Sequence, residues 1–469
     1  MKFYNRVREL RLIERVMTGN GTKVILLKGI RQIGKTSLAI ESLKGKEYAY
    51  IFVPKDKSPG LFLEEMSKEL NIPRFSSISD FMRYVFERYE YVFFDEFQNF
   101  YHTDKSAYSD IQKLIDEYKA AEKRLCMFFA GSSYSLIKKI FSDYSKALYG
   151  RRDLEITLDE LEPKAVFQML EDQGIKDTEE KIKFWAVFGG LPRHYSLIGR
   201  LSPKSFDELM ELQFSDFRSM LDEGNSMLVS EFGGEYKTYF TVMEAIACGK
   251  TTLSEIASVF DDNSTMANRY IDILRREYHL ISKINPVITP LKSRRGIYSI
   301  KNNYLRFWFR FVKRYESYHE QGMSGRAYSL FKQDFNTYMG TAFEKLCLEA
   351  LKEGFGFEVA GRQWGRFNGE KGKNTYEIDI VGLKEPSRQI TFAECKWQDD
   401  VDAADLANRL REKSKHVPWN PDNRKESYMV FAKSFSKKTD DKDVICYDLQ
   451  DIETILKKAE TEVKPRVER

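Results

Sequence analysis

Clustered cysteines, long apolar runs and a dominant sign of charge are all missing from this sequence. The five cysteines, Cys126, Cys248, Cys347, Cys395 and Cys446, lie far apart and form no CxxC pair. That argues against a zinc framework or a disulfide scaffold and leads us to expect a reducing, cytoplasmic setting. No stretch approaches the roughly 18 apolar residues of a membrane span, and the opening MKFYNRVREL lacks the apolar core of a signal peptide. A soluble protein with no membrane partner is therefore expected. A net charge of +4 over 469 residues is a weak excess, which permits contact with nucleic acid without arguing for it. Neither an internal repeat nor a low-complexity tract appears, and 42% apolar with 31% charged residues is globular composition.

What is present is a succession of differently patterned regions, and the length suggests roughly three domains. KVILLK, YAYIFV, YVFF, LCMFFA and LEITL are strand-like runs separated by helical patterns, the alternation expected of a parallel sheet in an α/β domain over residues 1–158. Helical spacing dominates 159–232, a candidate lid. Over 233–315, three helical patterns precede two strands, the order of a winged helix-turn-helix with 264–278 in the recognition position. The aromatic run LRFWFRFV has helical spacing and reads as core. A linker at 316–329 leads to a last α/β domain over 330–469. The fold class expected is multidomain α/β.

GIRQIGKT, residues 29–36, follows a strand and opens a helix, so Gly29, Gly34, Lys35 and Thr36 meet the G-x-x-x-x-G-K-[ST] pattern in its proper context. Backbone N–H groups of such a loop face the phosphates of ATP, Lys35 reaches them, and Thr36 ligates Mg²⁺. Arg31 and Ser37, within and just after the loop, join the nucleotide-binding set. About sixty residues on, YVFFDEFQNF ends a buried strand in Asp95, a second Mg²⁺ partner, and Glu96, placed to orient the attacking water. After LCMFFA, the hydroxyls of Ser132 and Ser133 could sense the terminal phosphate or simply form a turn. Arg151, in YGRR, could stabilise phosphoryl charge in a neighbouring copy of the chain or be solvated, as could Arg152.

In the last domain Asp379 lies in YEIDIV and Glu394 in FAECKW, separated by the turn-like LKEPSRQ. A hairpin would bring these two hard oxygen ligands together for Mg²⁺ or Mn²⁺. Lys396 would share the face of Glu394, and Glu344 on the preceding helix could complete the carboxylate set. Among the candidate nucleic-acid contacts, Arg269, Arg275 and Arg276 share their helix with Asp272 and Glu277, so no basic stripe forms. Lys283, Lys292, Arg294 and Arg295 near the expected wing favour phosphate contact.

GIRQIGKTSL, VFFDEFQ, AGSS, LYGRR and GGLPRHY, in that order, resemble the motifs of archaeal-type ATPases of the AAA+/STAND group, whose opening helix FYNRVREL also resembles. The resemblance implies that GGLP marks the lid and brings Pro192 to the nucleotide. The helix glutamate followed by D…E-x-K on two strands resembles the PD-(D/E)XK nuclease superfamily, a restriction-endonuclease-like fold. Ile378 stands where that motif usually has proline. Together these imply an ATP-binding and ATP-hydrolysing protein whose nuclease-like domain acts on double-stranded DNA, with self-assembly an open expectation. The competing expectation is a nucleotide-regulated DNA-binding or signalling ATPase with a catalytically inactive C-terminal domain.

Overall fold

Runs such as YVFF and LCMFFA have no polar side to turn toward water, so they belong inside a parallel sheet. The computed structural model, which describes residues 2–132, 134–232, 235–288, 296–369 and 372–458, places them in one five-stranded sheet. Strands β1 (Thr22–Lys28), β2 (Tyr48–Phe52), β3 (Tyr91–Asp95), β4 (Leu125–Gly131) and β5 (Leu154–Thr157) lie in the order β2-β3-β4-β1-β5. All four pairings are parallel. Phe94 stacks on Phe129 across β3 and β4 with ring centroids 5.0 Å apart, and Phe97 and Phe100 extend that buried cluster. Strand β1 lies between β4 and β5 rather than beside β2, and the loop after it opens where a doubly wound sheet binds its ligands.

The chain divides into two units. One comprises Met1–Leu161, Leu191–Leu197 and Ser226–Gly233, and the other Glu162–Gly190, Ile198–Asn225 and Gly234–Arg469. The segment 159–232 is largely helical, and its parts are shared between the two units.

In the second unit, the helices Tyr236–Ala247, Leu253–Ala257 and Ser264–Arg276 precede an antiparallel pair, β6 (Ile281–Ile284) and β7 (Ile297–Ile300). Lys292, Arg294 and Arg295 lie outside the described residues, as does Ser133 in the first unit. LRFWFRFV is buried: Trp308 is 0% exposed and donates its indole N–H to the Met220 carbonyl at 2.9 Å. A Cβ at Gly224 would stand 2.1 Å from the Trp308 ring, so only glycine admits it. The stretch 316–329 is not an extended linker. It contains the helix Glu316–Glu320 and the first turns of Ser324–Phe355, because Phe331 and Tyr328 have aromatic partners there, Phe311 among them at 5.2 Å.

The C-terminal sheet contains β8 (Val359–Gly369), β9 (Gly372–Lys384), β10 (Gln389–Lys396), β11 (Lys425–Ala432) and β12 (Val444–Tyr447), in the order β12-β11-β10-β9-β8. The first three strands pair antiparallel, whereas β10, β11 and β12 run parallel. The helix Ala403–Ser414 makes the crossover from β10 to β11. Phe343 of the long helix Ser324–Phe355 packs on Trp397, just past β10, at 5.3 Å.

The helix Thr178–Phe188 is held at both ends. Near its C-terminus, carbonyls of the last turn accept from side chains: Asn303 donates to Trp185 O at 3.1 Å, beside the capping Gly189 N–H, and Tyr338 to Ala186 O at 2.7 Å. Near its N-terminus, Lys181, 1% exposed, pairs with Glu453 of the helix Leu449–Lys458 and with Glu171. Burial opposes ionisation of Glu453, but hydrogen bonds from Lys181, Lys457 and Thr178 outweigh it and hold the carboxyl down at about 2.

Replacing Lys181 by methionine removes the buried cation of Glu453 and leaves it only the half-exposed Lys457, a loss of up to about 3 kcal/mol. Denaturant melts should show that loss, and the double variant Lys181→Met with Glu453→Leu should regain most of it. Equal melts for the wild type and Lys181→Met would remove the pair from any structural role.

Candidate functional site

The nucleotide-type site begins with a backbone requirement. A Cβ at Gly29 would lie 2.8 Å from the Leu158 carbonyl oxygen, and Gly34 adopts φ 96° as it caps the helix Lys35–Ser42. Lys35, 6% exposed, folds its ammonium over the loop and donates to the carbonyls of Gly29 at 2.8 Å and Ile30 at 3.0 Å. Thr36 Oγ1 donates to Asp95 Oδ2 at 2.7 Å, joining the loop to the end of β3. Tyr50 donates to the same oxygen at 3.2 Å, and the Glu96 N–H to Asp95 Oδ1 at 3.0 Å. Burial pushes the Asp95 carboxyl up despite these bonds. A desolvated carboxylate beside a hydroxyl is a hard-oxygen pair that fits Mg²⁺.

Glu96 and Ser132, proposed separately from the sequence, are brought together: Ser132 Oγ donates to Glu96 Oε2 at 2.7 Å. Gln98 Nε2 also donates to that carboxylate oxygen. Sequence reading missed Gln98, whose only signal was its place in DEFQNF; it fits because a Cβ at Gly131 would fall 2.3 Å from its Oε1. Arg6 was also missed. It is 8% exposed and donates to Asp159 O at 2.6 Å and Ile33 O at 3.4 Å, tying the phosphate-type loop to the exit of β5. Pro192 Cγ would lie 3.7 Å from a Cβ at Gly34, so the segment Leu191–Leu197 reaches the loop. Ser37, one residue past Thr36, is exposed.

Three arginines are engaged elsewhere. Arg31 donates to Ser226 O at 3.1 Å. Arg151 forms a two-bond pair with Asp116 at 2.9 and 2.8 Å and also donates to Ala147 O and Tyr149 O. That pair orders the YGRR turn from within the chain. Arg152 likewise donates to Phe141 O at 2.8 Å and pairs with Glu155.

The second cluster is built on the β9–β10 hairpin. The paired register ends with Ala393 opposite Ile380; Asp379 and Glu394 are the next residues beyond it, near enough for the Glu394 charge to act on Asp379. Asp379 Oδ2 accepts from the Cys395 N–H at 2.8 Å. Glu394, 6% exposed, is held by Lys396 at 2.9 Å and by Lys413 at 3.0 and 2.8 Å. Glu344 stands 3.7 Å from Arg362, which also pairs with Glu377. Burial first, then the neighbouring charge of Asp379, pushes the Glu344 carboxyl up to about 7. Burial and Glu394 push Asp379 up to about 6. Lys396 is partly desolvated, yet its bond to Glu394 holds its ammonium above the usual range.

Glu344, Asp379, Glu394 and Lys396 are thus brought into one electrostatic cluster. Among the described residues, no three His, Cys, Asp or Glu side chains converge closely enough to hold a metal. The donors are right for Mg²⁺ or Mn²⁺ in kind, and the raised carboxyls of Glu344 and Asp379 are ones whose ionised form a dication would favour. Glu394 would first have to leave Lys413. Neither Lys413 nor Arg362 carried any motif spacing in the sequence. Of the candidate nucleic-acid residues, Arg275 and Arg276 both turn to Asp272, at 2.9 and 3.5 Å, and Arg269 is exposed. They do not form a basic stripe.

Residues 3–198 match a family described as an ATPase domain predominantly from Archaea, and residues 308–413 match one described as archaeal and bacterial proteins of unknown function. An uncharacterized protein of Methanocaldococcus jannaschii is 28% identical over 466 residues, covering 96% of this chain and 99% of its own. The Walker-type ATPase of Pyrococcus abyssi superposes with a TM-score of 0.50 at 16% identity, over 66% of this chain and 96% of its own. That second likeness is one of fold. The N-terminal match supports ATP binding and ATPase activity. Among the described residues no helix is long and apolar enough to cross a membrane.

Since the folded-state pKa of Glu344 is raised, the folded protein holds a proton that the unfolded chain releases at lower pH. Its contribution to stability therefore falls as pH rises from the ordinary glutamate range through about 7. In chelator, the melting temperature of the wild type should drop relative to Glu344→Gln over that interval, and Mg²⁺ should restore it. Parallel curves for the two proteins would refute the coupling.

Proposed function

We propose that this chain is an ATP-hydrolysing switch whose C-terminal sheet carries a metal-dependent phosphodiesterase site for nucleic acid, with DNA as the substrate. The observation that carries the proposal is the gathering of Asp379 and Glu394 at the end of the β9–β10 hairpin, where Asp379 accepts from the Cys395 N–H, with Lys396 bonded to Glu394 and the buried Glu344 near enough to feel the Asp379 charge. The helices Tyr236–Ala247 to Ser264–Arg276, followed by the β6–β7 pair, support a winged-helix reading of the region before it.

At the first site, Lys35 would contact the β- and γ-phosphates, Thr36 and Asp95 would hold Mg²⁺, and Glu96, steadied by Ser132 and Gln98, would orient the attacking water. A bound Mg²⁺ supplies charge neutralisation to the phosphates there. Pro192 follows the Gly189-Gly190 break at the end of the helix Thr178–Phe188, so closure over the loop would pull on that helix. At the second site, Glu344, Asp379 and Glu394 would hold the dication, and Lys396 would stabilise charge building on the scissile phosphate. Hydrolysis at the first site would govern access to the second.

One observation favours a second reading, a nucleotide-regulated binding protein with a catalytically silent terminal domain. Glu394 is already neutralised by two lysines. A silent domain needs no further cation.

Single- and double-stranded DNA and RNA, incubated with Mg²⁺ or Mn²⁺ with and without ATP, separate the two. The first reading expects cleavage that Asp379→Asn lowers by at least about a hundredfold and that loses its dependence on ATP in Lys35→Ala. Intact ATPase activity with no cleavage under any condition leaves the second. Separately, Glu96→Gln should lower ATP turnover by about 10²- to 10⁴-fold with nucleotide binding retained; unchanged turnover would remove Glu96 from catalysis.

A further inference from the structure

A groove of about 1510 Å³ runs through the second unit, between the helix Ser264–Arg276 with its β6–β7 pair and the β8–β9 strands of the C-terminal sheet. Its charges are unevenly answered. The groove's acids, Glu377 and Glu412, are already paired with Arg362 and Lys415. Two of its cations, Lys283 and Arg366, make no ion pair or hydrogen bond among the described residues. The groove also has flat apolar surface: the His416 ring stacks on Phe367 at 3.6 Å, and Trp364 is half-buried beside them. Unanswered cations next to stacking rings suit a chain of phosphates carrying unpaired bases.

Lys413 is where this groove meets the carboxylate cluster. It lines the groove, yet it donates to both oxygens of Glu394, and its side chain is 32% exposed, so it can turn outward. The cluster sets the carboxylates Glu344, Glu377, Asp379 and Glu394 beside the cations Arg362, Lys396 and Lys413. A dication entering that set would turn it positive unless one resident cation found an anion elsewhere.

We propose that the groove binds a single nucleic-acid strand and that Lys413 is a positioning residue, passing from Glu394 to a strand phosphate and so freeing Glu394 for the cation. This rests on the phosphodiesterase reading for its use, but strand binding is measurable without it. A single strand is favoured over a duplex because stacking needs exposed bases.

Fluorescence anisotropy of the full chain in chelator, with labelled oligothymidylate and a labelled duplex, tests the groove. The strand should bind more tightly than the duplex. Lys283→Ala and Arg366→Ala should each weaken strand binding by about tenfold and reduce the salt slope by about 0.7. Tighter duplex binding, no strand binding, or variants indistinguishable from wild type would each overturn the proposal. Lys413 is read separately by Mn²⁺ titration without nucleic acid: Lys413→Met should bind Mn²⁺ at least about tenfold more tightly than wild type, while Lys413→Arg stays near it. Equal or weaker Mn²⁺ binding by Lys413→Met would end the hand-over. Absent cleavage with these binding effects intact would remove the phosphodiesterase reading and support the groove; intact cleavage with unchanged binding would remove the groove alone.

Discussion

Asp95 and Glu394 are each 6% exposed, and each lies at or near the C-terminal end of a strand. A carboxylate taken out of water must be met by donors, by a cation or by a proton, or the fold loses several kcal/mol. The two sites meet that requirement differently. Asp95 receives three neutral donors, Thr36, Tyr50 and the Glu96 N–H, which leave its negative charge unneutralised. Glu394 receives two ammonium groups, which cancel its charge. The first arrangement is open to a dication as it stands, and the second must be rearranged before it can take one.

That difference bears on how the surroundings are built. Around Asp95, the hydroxyl of Thr36 comes from the same helix start that carries Lys35, so the phosphate-type loop and the end of β3 are held as one piece by a single 2.7 Å bond. Arg6 and Pro192 fix the loop from outside. Leu191 follows directly on Gly190 of the other unit, just past a helix clamped by Asn303, Tyr338 and Lys181.

The features legible in the sequence were those set by short spacing. GIRQIGKT prescribes a loop whatever follows it, and the five apolar runs have no stable place except a covered parallel sheet. The approach of Asp379 and Glu394 followed from a turn of fixed length between two strands, since register in a hairpin is decided by the turn. Arg6, Arg362 and Lys413 were not legible, because each acts on a residue distant in the chain and none belongs to a spaced pattern; Gln98 acts on Glu96 only two residues away, but no motif spacing marks it. Residues 316–329 read as a linker because their pattern is less regular, yet Phe331 packs against Phe311 and the stretch is largely helical. Arg151 looked free because its partner Asp116 lies 35 residues earlier, on a helix with no motif of its own.

The same reasoning separates the two sets of cations around the helix Ser264–Arg276 and the β6–β7 pair. Arg275 and Arg276 share a helix with Asp272 at spacings of three and four, so they are answered locally before any ligand arrives. Lys283 sits on a strand and Arg366 on another strand of a different sheet, with no acid at reach in the described residues. A sequence scan counts the helix arginines first because they cluster, whereas electrostatics favours the isolated pair. Cations without local partners are the ones whose charge remains available to a phosphate, and here they lie along the groove that ends at Lys413.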